Sequence, residues 1–278
     1  RAASVNKQHR KQQNDNIFGY LVHVPMLHWN KDRETRGTII KKISVENNFE
    51  IPILYQDEKI IVVEKPAGLA VHKNDFMPHD APYLTKLLGD VTGKWIYNVH
   101  RLDAKTSGVM VLAFSSETAN NLTLQFERKE VVKKYIAVVQ GNPGEGTFNE
   151  KVLVKKKSKF KKPAVTHYKT LRSVETEISY KEKNNIVLSL VEITPETGRW
   201  HQIRQHFAKN RFDIVGDSHH GDFTLNKIIT EKTGINRLLL HASSLEFTHP
   251  ETKGRKEFVS PVPEEFERII EVCKIQNS

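Results

Sequence analysis

The sequence predicts an α+β fold: a mixed, mostly antiparallel central sheet flanked by helices and loops. Three observations lead there. Apolar runs of strand length outnumber helical patterns, and the two do not alternate regularly as a doubly wound fold requires. No glycine-rich phosphate fingerprint of either nucleotide-binding type is present. The run Val-Met-Val-Leu-Ala-Phe at 109–114 is short and uncharged, as a fully buried strand is. The 278 residues allow one large domain or two modest ones. With no internal repeat and no long linker after residue 49, one domain over 49–278 is expected, preceded by an arm over 1–48.

Within the arm, residues 1 to about 16 are polar and basic without periodicity, so disorder is expected. Residues 17–29 are apolar with aromatics and read as a strand packed on the main body, whereas 31–48 are charged and ambiguous. Residues 51–55 and 60–63 read as strands around a turn at 56–59, and Pro66 and Gly68 end the second. Leu84, Leu87 and Leu88 mark a short helix. After the 109–114 strand, Ser115 or Ser116 caps a helix with Ala119, Leu122 and Phe126 on one face. Residues 131–140 form a strand that the turn at 141–144 ends. The lysine-dense stretch 151–162 reads first as a solvated loop and second as a phosphate-contacting one. Residues 186–193 read as a strand and 199–210 as a helix, with Ile203 and Phe207 toward the core and Arg204 not obliged to follow them. Strands are expected at 238–241, 245–248 and 257–260. A last helix carries Phe266, Ile269, Ile270 and Cys273 on one face, and its early acidic residues suit the helix dipole.

The formal net charge of +10 favours a polyanionic partner, nucleic acid ahead of an acidic membrane. No uncharged run approaches a membrane span, and no apolar signal core follows the basic N-terminal residues. The single cysteine, Cys273, excludes an intramolecular disulfide and a cysteine-based zinc site. It fits a reducing, cytoplasmic setting.

The charged stretch His100-Arg101-Leu102-Asp103 sits just before the buried strand. A carboxylate there needs a partner or a task, and a structural Arg101–Asp103 pair is the plain reading. Asp217, His219, His220 and Asp222 suggest a metal only weakly, since they lack the helical histidine spacing of zinc hydrolases. Ser107, His100 and Asp103 contain the residue types of a hydrolytic triad but no nucleophile elbow. Neither a metal nor a cofactor is expected. What remains is Asp103, Tyr135, Arg204 and a basic surface. Arg204 would hold Asp103 ionised, and an ionised aspartate is a nucleophile or a base. Tyr135 offers a flat face for a base and a hydroxyl for proton traffic. Those parts suit chemistry on a nucleobase.

At these residues the chain resembles the RluA family of pseudouridine synthases. His100-Arg101-Leu102-Asp103 with Thr106-Ser107-Gly108 is similar to the signature that carries the family's catalytic aspartate. Lys133-Lys134-Tyr135 resembles the motif of its tyrosine, and His201-Gln202-Ile203-Arg204 after Thr197-Gly198-Arg199 that of its arginine. Glu64-Lys65-Pro66-Ala67-Gly68 resembles the upstream segment. Residues 163–168, 216–222, 239–243 and 248–250 are similar to a tRNA-acting branch, and the likeness spans about 52 to 272. It implies an RNA substrate, tRNA first, and a flipped uridine isomerised by Asp103, Tyr135 and Arg204. It also implies that Arg101 helps extrude the base. Lys134, Arg199, His201 and the lysines Lys155, Lys156, Lys157, Lys161 and Lys162 would contact RNA. No cofactor, membrane or protein partner follows from it, and a monomer is expected. Action on ribosomal RNA, or RNA binding without catalysis, stays open at this point. Two departures are Ala104, where relatives often carry a basic residue, and the bulky Trp200.

Overall fold

The computed structural model describes residues 41–45, 49–73 and 77–275. The readings made for residues 1–40, disorder and a packed strand among them, lie outside the described residues. In chain order the elements are β1 (Lys41–Val45), β2 (Phe49–Gln56), β3 (Ile60–Lys65), α1 (Leu84–Thr92), β4 (Tyr97–Asn98), β5 (Ser107–Ala113) and α2 (Ser116–Glu127). There follow β6 (Val132–Gln140), β7 (Glu145–Phe148), β8 (Val152–Leu153), β9 (Lys161–Lys162), β10 (Thr166–Glu175) and β11 (Val187–Pro195). The chain closes with α3 (Gln202–Lys209), α4 (Phe223–Thr233), β12 (Leu240–Thr248), β13 (Arg255–Val259) and α5 (Glu264–Cys273).

An 11-stranded sheet runs β1-β2-β3-β5-β12-β6-β11-β10-β7, with β4 on β5 and β13 on β12. The β5–β12 ladder is parallel and the others in this sheet are antiparallel, which is the mixed sheet expected. β1 falls in the stretch read as an arm, yet it pairs with β2 along its length and forms a sheet edge.

The centre of the sheet places the site. Every residue of β5 is buried, so an uncharged sequence is what that position demands. Gly108 has φ +117°, and a Cβ on it would stand 2.2 Å from the Ala242 carbonyl oxygen. Only glycine lets β5 and β12 approach this closely. Their register sets Gly108 beside Ala242, and β12 in turn sets Ala242 opposite Tyr135 of β6. The loop entering β5 and the tyrosine of β6 are thereby brought together from 32 positions apart in sequence.

Alternation along β6 serves both faces. Ala137 and Val139 pack with Ile203 and Phe207 of α3, while Ile136 and Val138 pack with Phe266, Ile269 and Ile270 of α5. Those α5 side chains and Cys273 are fully buried. Each large apolar one contributes about 1.5–3 kcal/mol by leaving water. Of the two serines considered as cap for α2, Ser115 serves: its Oγ accepts from the Thr118 N–H at 3.2 Å.

Several elements differ from expectation for local reasons. The strands read at 238–241 and 245–248 are one strand, β12, irregular between Ala242 and Ser244, where two buried serines break the apolar pattern. α3 starts at Gln202 rather than at 199, because the Gln202 Oε1 accepts from the Arg199 N–H (3.1 Å) and the Thr197 hydroxyl (2.6 Å), holding 197–200 as a loop. The lysine-rich stretch is a β8–β9 hairpin. The Gln205 amide grips its base at both backbone groups of Leu153 (2.9 and 3.2 Å).

Candidate active site

The loop before β5 is fixed from behind. The His100 ring stacks on Phe126 at 4.6 Å and its Nε2 accepts from the Val111 N–H at 3.1 Å. Lys65 is fully buried and donates to the carbonyls of Pro66, Leu69 and Ala104 (2.7, 2.9 and 3.0 Å). Burial, with the charge of Arg237, pushes Lys65 down to about 7 against the opposing charge of Asp103. The Gly68 N–H also reaches the Ala104 carbonyl, at 2.8 Å. Ala104 thus contributes its backbone. Ser107 has no part in a triad: its Oγ accepts from Arg237 (2.6 Å) and donates to His241 Nδ1 (2.9 Å), tying β5 to β12.

Arg204 leaves α3 buried, 4 % exposed, and answers two carboxylates. Its Nε and Nη2 donate to the two oxygens of Asp217 at 2.8 and 2.7 Å, a bidentate pair. Its Nη1 donates to Asp103 Oδ2 at 2.9 Å. Burial works against the Arg204 charge, but Asp217 and Asp103 outweigh it and raise the group above its ordinary value. Asp217 is 1 % exposed. Burial would raise its carboxyl, yet Arg204 and the N–H groups of His219 and His220 bring it down to about 2. Gly216 (φ +76°) makes this turn possible, since a Cβ there would lie 1.9 Å from the Arg237 carbonyl oxygen.

A cleft of about 460 Å³ opens over this pair. Asp103, Tyr135 and Arg204 all line it, joined by Arg101, Arg199 and His201. Lys155 and Lys162 come to it from the hairpin. Tyr135 stays a phenol at neutral pH, because burial and the Asp103 charge both push its hydroxyl up. Lys134 is not at the cleft. Strand alternation turns it to the opposite face from Tyr135, where it pairs with Glu192 at 3.4 Å. Lys156, Lys157 and Lys161 are exposed on the hairpin and do not line the cleft. The partner of Asp103 is Arg204 and not its neighbour Arg101.

From the sequence, Asp217 and His220 belong to a stretch of family likeness and have metal ligation as their one candidate role, and Lys65 has none of its own. Among the described residues, His201, His219 and His220 do bring ring nitrogens within 4.8 Å of one another. Both nitrogens of His201 are engaged in hydrogen bonds, however, Nε2 with Arg204 Nη1 and Nδ1 with His220 Nε2, each at 3.0 Å.

A mixed sheet with an arginine-held aspartate and a tyrosine in one basic cleft describes an enzyme acting on a base of a polyanion. The chain belongs to the RNA pseudouridylate synthase family, whose model matches residues 59–209 and so includes Asp103, Tyr135 and Arg204. It is an isomerase of RNA uridines. It is 40% identical over 232 residues to tRNA pseudouridine synthase C of Pasteurella multocida, covering 80% of this chain and 96% of that one. It is also 40% identical over 212 residues to the Yersinia pestis protein of the same name, covering 73% and 82%. The solved structure of human RNA pseudouridylate synthase domain containing 4 superposes with a TM-score of 0.61 at 27% identity, over 79% of this chain and 92% of that one.

Proposed function

We propose that this protein isomerises a uridine in tRNA, with Asp103, Tyr135 and Arg204 performing the chemistry. The observation that carries the reading is the Asp103 carboxylate held at 2.9 Å by a buried arginine in a cleft that Tyr135 also lines. Relatives covered nearly end to end are named as acting on tRNA, which supports that substrate. The kinship with tRNA-modifying relatives supports a cytoplasmic setting, and a monomer is proposed with it. No helix among the described residues is long and apolar enough to cross a membrane.

The reaction breaks the N1–C1′ bond and joins C1′ to C5. The C5 proton leaves, N1 gains one, and nothing is added or lost. The uridine must leave its stack to enter the cleft, at a few kcal/mol that contacts in the pocket offset. Arg101, exposed at the mouth, helps extrude it. Asp103 is the charged group that acts on the nucleotide, at the ribose or at the ring, and Arg204 aims it. Tyr135 stacks on the base and, as a phenol, donates a hydrogen bond.

Mapping pseudouridines in total RNA with and without the gene tests the substrate. Loss confined to tRNA is expected, and loss confined to ribosomal RNA would overturn it. The hairpin makes a separate prediction. Changing Lys155, Lys161 and Lys162 to glutamine should lower the salt slope of RNA binding by about 2, since each phosphate contact contributes roughly 0.7–0.9. The rate at saturating RNA should hardly change. An unchanged slope in a filter-binding salt series would make the hairpin a bystander.

A further inference from the structure

We propose that His220 is a positioning residue for the reaction: it fixes the tautomer of His201, and so keeps Arg204 on Asp103. The inference rests on the roles given to Asp103 and Arg204 above.

The argument is one of donors and acceptors. A guanidinium has donors only. Arg204 Nη1 lies 3.0 Å from His201 Nε2, so that nitrogen must be bare and accept. A neutral His201 then carries its proton on Nδ1, which lies 3.0 Å from His220 Nε2. His220 Nε2 must accept in turn, and its own proton sits on Nδ1. A single direction of donation runs from Arg204 through His201 to His220.

The other tautomer would be harmful. His201 Nε2 is also 3.5 Å from Asp103 Oδ2. A proton on Nε2 would face the Arg204 N–H and compete with it for the carboxylate. A His201 protonated on both nitrogens would do the same. His220 removes that competitor by offering an acceptor to Nδ1.

The surroundings serve this arrangement. Asp217 Oδ1, which accepts from Arg204, also accepts the backbone N–H groups of His219 (2.9 Å) and His220 (3.1 Å). One carboxylate therefore sets both ends of the chain of donors. His201 stands at the start of α3 with φ 47°, a left-handed conformation uncommon for residues other than glycine. Its ring stacks on Trp200, 4.0 Å away at 17°, and meets the rings of His219 and His220 edge-on. The groups facing it are Arg204, His220, His219, Asp217 and Asp103. Burial, then the charges of Arg204, His220 and His219, bring His201 down to about 3 against Asp217, so it is neutral at working pH.

Single-turnover kinetics on the full chain with a tRNA transcript test this from pH 5.5 to 8.5. His220→Leu should lower the rate at saturating RNA about tenfold or more and move the acid limb of its pH profile upward, with RNA affinity within about threefold. His220→Gln, whose Oε1 can accept from Nδ1–H, should restore the rate to within about fivefold of the wild type. Nitrogen NMR of the histidines reads the tautomer directly in the unaltered protein, whatever the folding of the variants. A His201 protonated on Nε2 there overturns the proposal, and so does a leucine variant with the wild-type rate and profile. Equal impairment of both variants would do the same. A wrong assignment of Asp103 would appear separately, as an active Asp103→Asn enzyme.

Discussion

Replacing Asp103 with asparagine should abolish pseudouridine formation while leaving RNA binding within a few-fold. The amide is nearly isosteric and its oxygen can still accept from Arg204 Nη1, so the 2.9 Å contact survives in neutral form. What is lost is the charge, and with it the nucleophile or base. A fall in rate of at least about 10⁴ is expected. The fold should lose only about 1 kcal/mol, the worth of one weakened hydrogen bond, because Arg204 keeps its bidentate partner Asp217. Incubation with a tRNA transcript followed by nucleoside digestion and chromatography reads the outcome. Pseudouridine at the wild-type level would remove Asp103 from the mechanism.

The parts of this design that lie close together in sequence were legible there. The uncharged run of β5, the four-residue apolar face of α5 and the serine cap of α2 each follow from a local rule, and each is present. β10 leaves no clear pattern because only Thr166 and Val174 are buried and its sequence mixes lysine, arginine and threonine with few apolar positions. α4 was missed for a similar reason: it buries only Leu225 and Ile229. The site shows the same division. Asp103, Tyr135 and Arg204 stand out by chemical type with a basic surface beside them, and the motifs that hold them resemble the family's. Spacing alone left Arg204 free not to enter the core, and it is buried because Asp217 receives it. That partnership depends on a turn enabled by Gly216 and held by Asn226 of α4, which bonds both the Gly216 N–H and the Asp217 carbonyl. A helix absent from the sequence reading could not reveal what it holds. Lys134 failed to join the cleft for the simplest reason, the alternation of a strand whose next residue does join it.

Asp217→Ala should be the most destabilising single change at the site. It strips Arg204, 4 % exposed, of the partner that takes two of its hydrogen bonds, leaving a buried guanidinium whose Nε and Nη2 have lost their acceptors while Nη1 keeps Asp103 and His201. Breaking a buried pair on one side costs about 3–5 kcal/mol, a large share of a typical domain's 5–15 kcal/mol. Urea unfolding should show a lower midpoint with an unchanged slope. The effect has a pH signature. The Asp217 carboxyl is lowered in the fold to about 2 from its ordinary 3.8, so its contribution is complete above 3.8 and lost as pH falls through 2. The alanine variant should lack that portion of the acid-unfolding curve. The double replacement Asp217→Leu with Arg204→Met separates folding from function, since it removes both charges and refills the space. It should recover much of the stability, as buried pairs exchanged for apolar side chains often do, and none of the activity. An active double variant would mean that Arg204 serves the fold alone. A stable, inactive one would leave the pair as the device that aims Asp103 into the cleft.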